Sequence, residues 1–157
     1  MPPRTIFDLS GINLDAVLHD RDVIRQYNPQ RGDMEQLDAI VWASEATASI
    51  IGRKDVRHDE FWVPGHIPGR PLLPGVIMIE AAAQVASFYT RRYMGWTGFV
   101  GFGGVDACKF RQQVVPGDTL IILCQRIWER HRRVCCNTQG LVNGNIAFEC
   151  QIIGTQL

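Results

Sequence analysis

Three residues in one short stretch of this 157-residue chain, His66, Gly75 and Glu80, are of types that together can do acid–base chemistry. An imidazole is the side chain best tuned to act as a base near neutral pH. A carboxylic acid in an apolar setting has its pKa raised, so it can hold a proton to donate. The backbone N–H of Gly75, at the start of an expected helix, lies at the positive end of the helix dipole, where a polarised carbonyl oxygen is stabilised. Base, acid and oxyanion donor are the parts needed to take a proton from the carbon next to a thioester carbonyl and expel a β-hydroxyl. Taken singly, each residue has a blander reading. A loop histidine is most often a surface residue, and a glutamate on a polar helical stripe most often faces water.

The elements that must position these residues follow from the pattern around them. Val63–Gly75 holds four prolines and three glycines in thirteen residues, which excludes regular helix and central strand. Pro74 sits where a missing N–H is harmless at a helix start, and Val76–Met94 can run about five turns, with Gly95 as the stop. From Val76 to Tyr89 the polar residues are Glu80, Gln84 and Ser87, a single narrow stripe at i, i+4 and i+7. A helix so apolar elsewhere must be covered on most sides, as by a sheet wrapped around it.

Downstream, 99–110, 119–128, 132–142 and 145–153 read as strands, the last two joined by Asn143-Gly144, a hairpin signal. Leu37–Ile51 is compatible with helix in its Ala-rich middle, but its β-branched and aromatic ends favour strand. Residues 1–33 are read as an arm with one or two short helices, Leu14, Val17 and Leu18 falling at helical spacing and Asp20–Gln26 continuing the pattern, before the turn Asn28–Asp33. The expected class is α+β, one long helix against an antiparallel sheet, with domain residues 34–157 following the arm.

Composition bounds the function. Lys plus Arg equals Asp plus Glu at 16 each, so the basic excess needed for bulk nucleic-acid binding is missing. Five cysteines without C-x-x-C argue for reduced, buried thiols rather than a disulfide framework or zinc site. The N-terminus lacks the apolar run of a signal peptide, and no stretch reaches membrane-spanning length, so a cytoplasmic protein without a membrane association is expected. His19, His58 and His131 share no metal-ligand spacing and are read as surface histidines.

The run Phe61-Trp62-Val63-Pro64-Gly65-His66-Ile67-Pro68-Gly69-Arg70-Pro71-Leu72-Leu73-Pro74-Gly75 through Glu80 and Gln84 resembles the signature of the 3-hydroxyacyl-[acyl carrier protein] dehydratases of fatty acid synthesis. Gly104–Arg111 and Val114–Asp118 resemble that family's next two landmarks, in order, and the resemblance spans roughly Met34 to Thr155. It implies a hot-dog fold, an antiparallel sheet wrapped around one long central helix. It also implies homodimers with shared active sites, in which His66 of one subunit faces Glu80 of the other, and in some members trimers of dimers.

Carried onto this sequence, the resemblance implies that His66 abstracts the C2 proton, that Glu80 protonates the departing hydroxyl and that the Gly75 N–H holds the thioester oxygen. The Leu72 carbonyl would orient the imidazole and Gln84 the Glu80 carboxyl. The acyl chain would lie in an apolar tunnel, and no metal or organic cofactor is implied. An isomerising branch of the family has aspartate at the acid position, so Glu80 favours simple dehydration, with isomerisation left open.

Lys109 and Arg111 lie near the family's substrate entrance. They read either as a solvated basic face or as a docking patch for an acidic acyl carrier protein or a coenzyme A phosphate. Three functions are therefore weighed: dehydration on a carrier protein, a coenzyme A-linked enoyl hydratase or thioesterase on the same fold, and a non-catalytic acyl-binding hot-dog. Retention of both His66 and Glu80 favours the first.

Overall fold

A single 18-residue helix, α2 (Gly75–Arg92), is wrapped by a seven-stranded, fully antiparallel sheet in this computed structural model, which describes residues 4–157. Residues 1–3, the first of the expected arm, lie outside the described residues. The strands are β1 (His19–Asp20), β2 (Ala39–Ser44), β3 (Ser49–Asp55), β4 (Val100–Phe110), β5 (Thr119–Arg130), β6 (Arg133–Val142) and β7 (Asn145–Gln156), in the spatial order β1-β2-β3-β5-β6-β7-β4. This is the hot-dog architecture.

The wrapping follows from the residue pattern. Met78, Ala81, Ala82, Val85 and Phe88 of α2 join Ile40, Ile50, Leu120, Ile122, Cys124 and Phe148 of the strands in one buried core. Small alanines on the helix let the sheet approach closely, and burying Phe88 and its neighbours contributes roughly 1.5–3 kcal/mol per large side chain. The opposite face of the sheet buries the alternate residues, Val41, Ile51, Ile121, Leu123, Leu141 and Ile146. Leu37–Ile51 is thus the β2–β3 hairpin and its lead-in, the strand alternative of the two. Asn143 (φ 50) and Gly144 (φ 80) form the expected tight turn between β6 and β7, both in the left-handed region.

The N-terminal region differs from expectation. Leu14, Val17 and Leu18 are not helical; the helix α1 (Arg21–Tyr27) begins only after Asp20, whose side chain caps it by accepting from Val23 N at 3.0 Å. The earlier apolar residues have another task. Ile6, Phe7, Leu9, Ile12 and Leu14 pack on the outer apolar face of the sheet, and Gln139 pins this stretch by accepting from Ile6 N at 2.8 Å and donating to Arg4 O at 3.0 Å. The pull of that face outweighs the helical spacing.

His19 is also not a surface histidine. It is half-buried, with Nε2 at 2.7 Å from the Tyr93 hydroxyl and its ring against Phe88. His58 and His131 are exposed, and His131 and Arg132 (φ 49 and 62) make the β5–β6 turn.

Candidate active site

The loop preceding α2 crosses the surface with its middle, Pro64–Arg70, exposed. Its ends are fixed by buried Trp62 and by buried Leu73, whose N–H donates to Val114 O at 2.8 Å. Between these anchors, His66 Nδ1 lies 2.8 Å from the Leu72 carbonyl. A carbonyl only accepts, so the neutral imidazole carries its proton on Nδ1 and keeps the Nε2 lone pair as the basic site.

His66, Leu72 and Gly75 line one open cavity of about 600 Å³ with Val76, Phe110 and Arg111. As the first residue of α2, Gly75 has an N–H with no acceptor inside the helix. The Phe110 ring approaches so closely that a Cβ on residue 75 would lie 2.8 Å from it, which accounts for glycine there.

Glu80 sits one and a half turns into α2, half-buried. Gln84, one turn further and 3% exposed, donates from Nε2 to Glu80 Oε1 at 2.8 Å and to Met34 O at 2.6 Å. Its own Oε1 accepts from Gln36 N at 3.0 Å, and its backbone carbonyl from Asn28 Nδ2 at 3.0 Å. Glu80 lines a second, smaller cavity of about 160 Å³ under α2, walled by Phe99, Phe102, Val134, Ile152 and Ile153. Phe and Ile side chains thus do border an apolar space beside the carboxyl.

Within one chain the structure places His66 with Leu72 and Gly75, and Glu80 with Gln84, but in two separate cavities. Arg111 reaches the His66 cavity, tied to Glu149 at 3.0 Å, and this carboxylate raises its already high pKa. Lys109 is exposed and does not line that cavity.

Sequence reasoning missed Asn28, Gln30, Met34 and Gln36. All belong to the turn and its continuation before β2, which read only as polar punctuation. Yet Gln30 lines the Glu80 cavity, and the other three lock Gln84. Nothing in their types or spacing signals this, since their partner lies about fifty residues away.

All five cysteines are free thiols. Burial pushes Cys150 up to about 11 and also raises Cys108 and Cys135, while a hydrogen bond to Cys136 and then burial raise Cys124. Such thiols hold their protons and behave as small apolar groups. Among the described residues, no group of three or more His, Cys, Asp or Glu is placed to hold a metal ion, and no helix is long and apolar enough to cross a membrane.

A family model described as the FabA-like domain matches residues 28–151. The 3-hydroxyacyl-[acyl-carrier-protein] dehydratase FabZ of Desulforamulus reducens is 40% identical over 104 residues, covering 66% of this chain and 72% of its own. The FabZ of Desulfotalea psychrophila is 32% identical over 130 residues, covering 81% and 86%. Among solved structures, the dehydratase heterocomplex ApeI:P from Xenorhabdus doucetiae superposes with a TM-score of 0.72 at 16% identity, over 85% of this chain and 90% of that one, a likeness of fold.

Proposed function

Because this chain belongs to the FabA-like family and, within it, to the 3-hydroxyacyl-[acyl carrier protein] dehydratases, we infer that it removes water from a (3R)-3-hydroxyacyl thioester on acyl carrier protein in fatty acid biosynthesis, leaving the trans-2-enoyl thioester. The observation that carries the site assignment is the shared cavity of His66 and Gly75, with the imidazole held by Leu72 so that Nε2 is free.

In this reading the thioester oxygen sits against the Gly75 N–H, whose dipole end stabilises the charge that develops as His66 Nε2 takes a C2 proton. The electron pair of that C–H bond becomes the C2=C3 double bond, and the C3–O bond breaks. Glu80 gives its proton to the departing hydroxyl, which leaves as water. Gln84 holds one carboxyl oxygen as an acceptor, leaving the other to carry the proton. His66 ends protonated and Glu80 ionised, and solvent exchange restores both. The apolar cavity beside Glu80 takes the acyl chain.

The two halves of this machinery come together across a homodimer, His66 of one protomer meeting Glu80 of its partner. Two features support that reading. Among the described residues β4 pairs only with β7, leaving one strand edge open. Around it Val76 (70% exposed), Phe99, Phe102 (53%) and Phe110 present apolar surface of the kind a second subunit covers. Dimers can assemble further into trimers of dimers. Arg111, which lines the His66 cavity, and exposed Lys109 near the end of β4 suit an acidic carrier protein working in the cytoplasm.

The test is a paired incubation of 3-hydroxyacyl chains on carrier protein and on coenzyme A, read by mass for loss of one water. Faster conversion on the carrier supports the reading. Equal rates would remove carrier preference, and no conversion on either would remove dehydration.

A further inference from the structure

We propose that Glu60, held by Lys54, is a positioning residue for His66 and acts through Trp62; the inference rests on reading His66 as the base. The loop around His66 is exposed, so its place is set by few contacts. On the downstream side, Leu72 O takes the Nδ1 proton, next to Leu73, which is bonded to Val114. On the upstream side, His66 N donates to Trp62 O at 2.9 Å and Gly65 N to the same oxygen at 3.3 Å, while Val63 N donates to Glu60 O at 3.1 Å. The position of Trp62 thus sets the backbone from which the imidazole reaches Leu72.

Trp62 is buried, and its only polar side-chain atom, Nε1, donates to Glu60 Oε1 at 3.2 Å. The same carboxylate accepts from Lys54 Nζ at 2.6 Å and from Arg57 N at 2.8 Å. Lys54 belongs to β3, directly opposite Leu120 of β5, so the chain of bonds begins on a strand paired on both sides. The side chains of Lys54 and Glu60 are 3% and 9% exposed.

A buried ion pair roughly breaks even in stability against a well-packed apolar pair, because desolvation offsets the attraction. What this pair supplies instead is direction. Three donors on one carboxylate, two of them from fixed backbone or strand positions, leave the indole N–H one place to point. The result is a line from β3 through Lys54, Glu60 and Trp62 to the backbone of His66.

Two variants test this in the full-length protein. Trp62→Phe keeps the buried ring and removes only the N–H donor. The double variant Lys54→Met with Glu60→Gln removes both charges without leaving one of them buried alone. Each is expected to fold, with kcat lowered about tenfold or more and KM little changed, since a small misplacement of a catalytic group costs rate rather than binding.

The ring nitrogens of His66, followed by nitrogen NMR, give a readout independent of activity. The wild-type protein should show the single Nδ1-protonated tautomer, and the variants averaged tautomers. A folded Trp62→Phe with unchanged kcat and an unchanged His66 ring spectrum overturns the inference. Wild-type protein without dehydratase turnover would sink the function instead, and the ring spectra would still decide this point.

Discussion

Gln84 Nε2 donates to Glu80 Oε1 over 2.8 Å, and the direction of that amide is not free: its Oε1 is taken by Gln36 N. Gln84→Leu should therefore strike twice. It frees the Glu80 carboxyl to rotate, and it strands the N–H of buried Gln36 at a cost of roughly 1–3 kcal/mol. A lower thermal midpoint together with a lower kcat is expected. Unaltered kcat in the folded variant would show that Gln84 does not orient the acid.

The Phe110 ring lies where a side chain on residue 75 would have to go. Gly75→Ala keeps the N–H but pushes the half-exposed Phe110 ring aside in the His66 cavity, so activity should fall while stability changes little. Adding Phe110→Ala makes room. The double variant should recover activity relative to Gly75→Ala alone; if it does not, the glycine is needed for something other than this close approach.

If each site is shared, two dead proteins can make a live one. Co-assembled His66→Ala and Glu80→Gln subunits form mixed dimers in which one of the two sites keeps both native residues. Random pairing should then restore about a quarter of wild-type activity. Mixtures that stay as inactive as the separate variants would place base and acid within one protomer.

His19 governs a pH effect away from the chemistry. Burial against Phe88 and then the nearby Arg92 charge hold its pKa below the ordinary value of 6.5. The unfolded chain therefore binds a proton that the folded one resists, and stability falls as pH drops from 6.5 toward the lowered value. Unfolding midpoints measured across that range should flatten in His19→Gln. At lower pH a second loss follows from Glu35, whose carboxyl the Arg25 hydrogen bond holds below its usual 4.5, so that the stability it contributes above that value disappears as it protonates.

Much of the scaffold was legible because it rests on local or periodic signals. The four-proline loop, the one-sided stripe Glu80–Gln84–Ser87 and the Asn143-Gly144 turn each encode their own geometry, and the structure places them as read. The N-terminal region was not legible, because its structure is dictated by distant partners. Leu14 has the spacing of a helix but the fate of a sheet cover, and His19 looks exposed until Tyr93 and Phe88 are folded against it. In the candidate site, the pairings of His66 with Leu72 and of Glu80 with Gln84 were expected only through the family resemblance, and the two hydrogen bonds are present. The bonds from Met34 and Gln36 to Gln84, and from Lys54 to Glu60, depend on how separate strands and loops meet.

The most direct measurement is the ultraviolet absorbance of the conjugated enoyl thioester as 3-hydroxyacyl carrier protein is turned over by wild-type protein, His66→Ala and Glu80→Gln. The account predicts steady formation of the enoyl product by wild-type protein and a loss of about 10²–10⁴-fold in each folded variant, the range that positioned acid–base groups supply. Wild-type rates in either variant would contradict the assignment of base and acid.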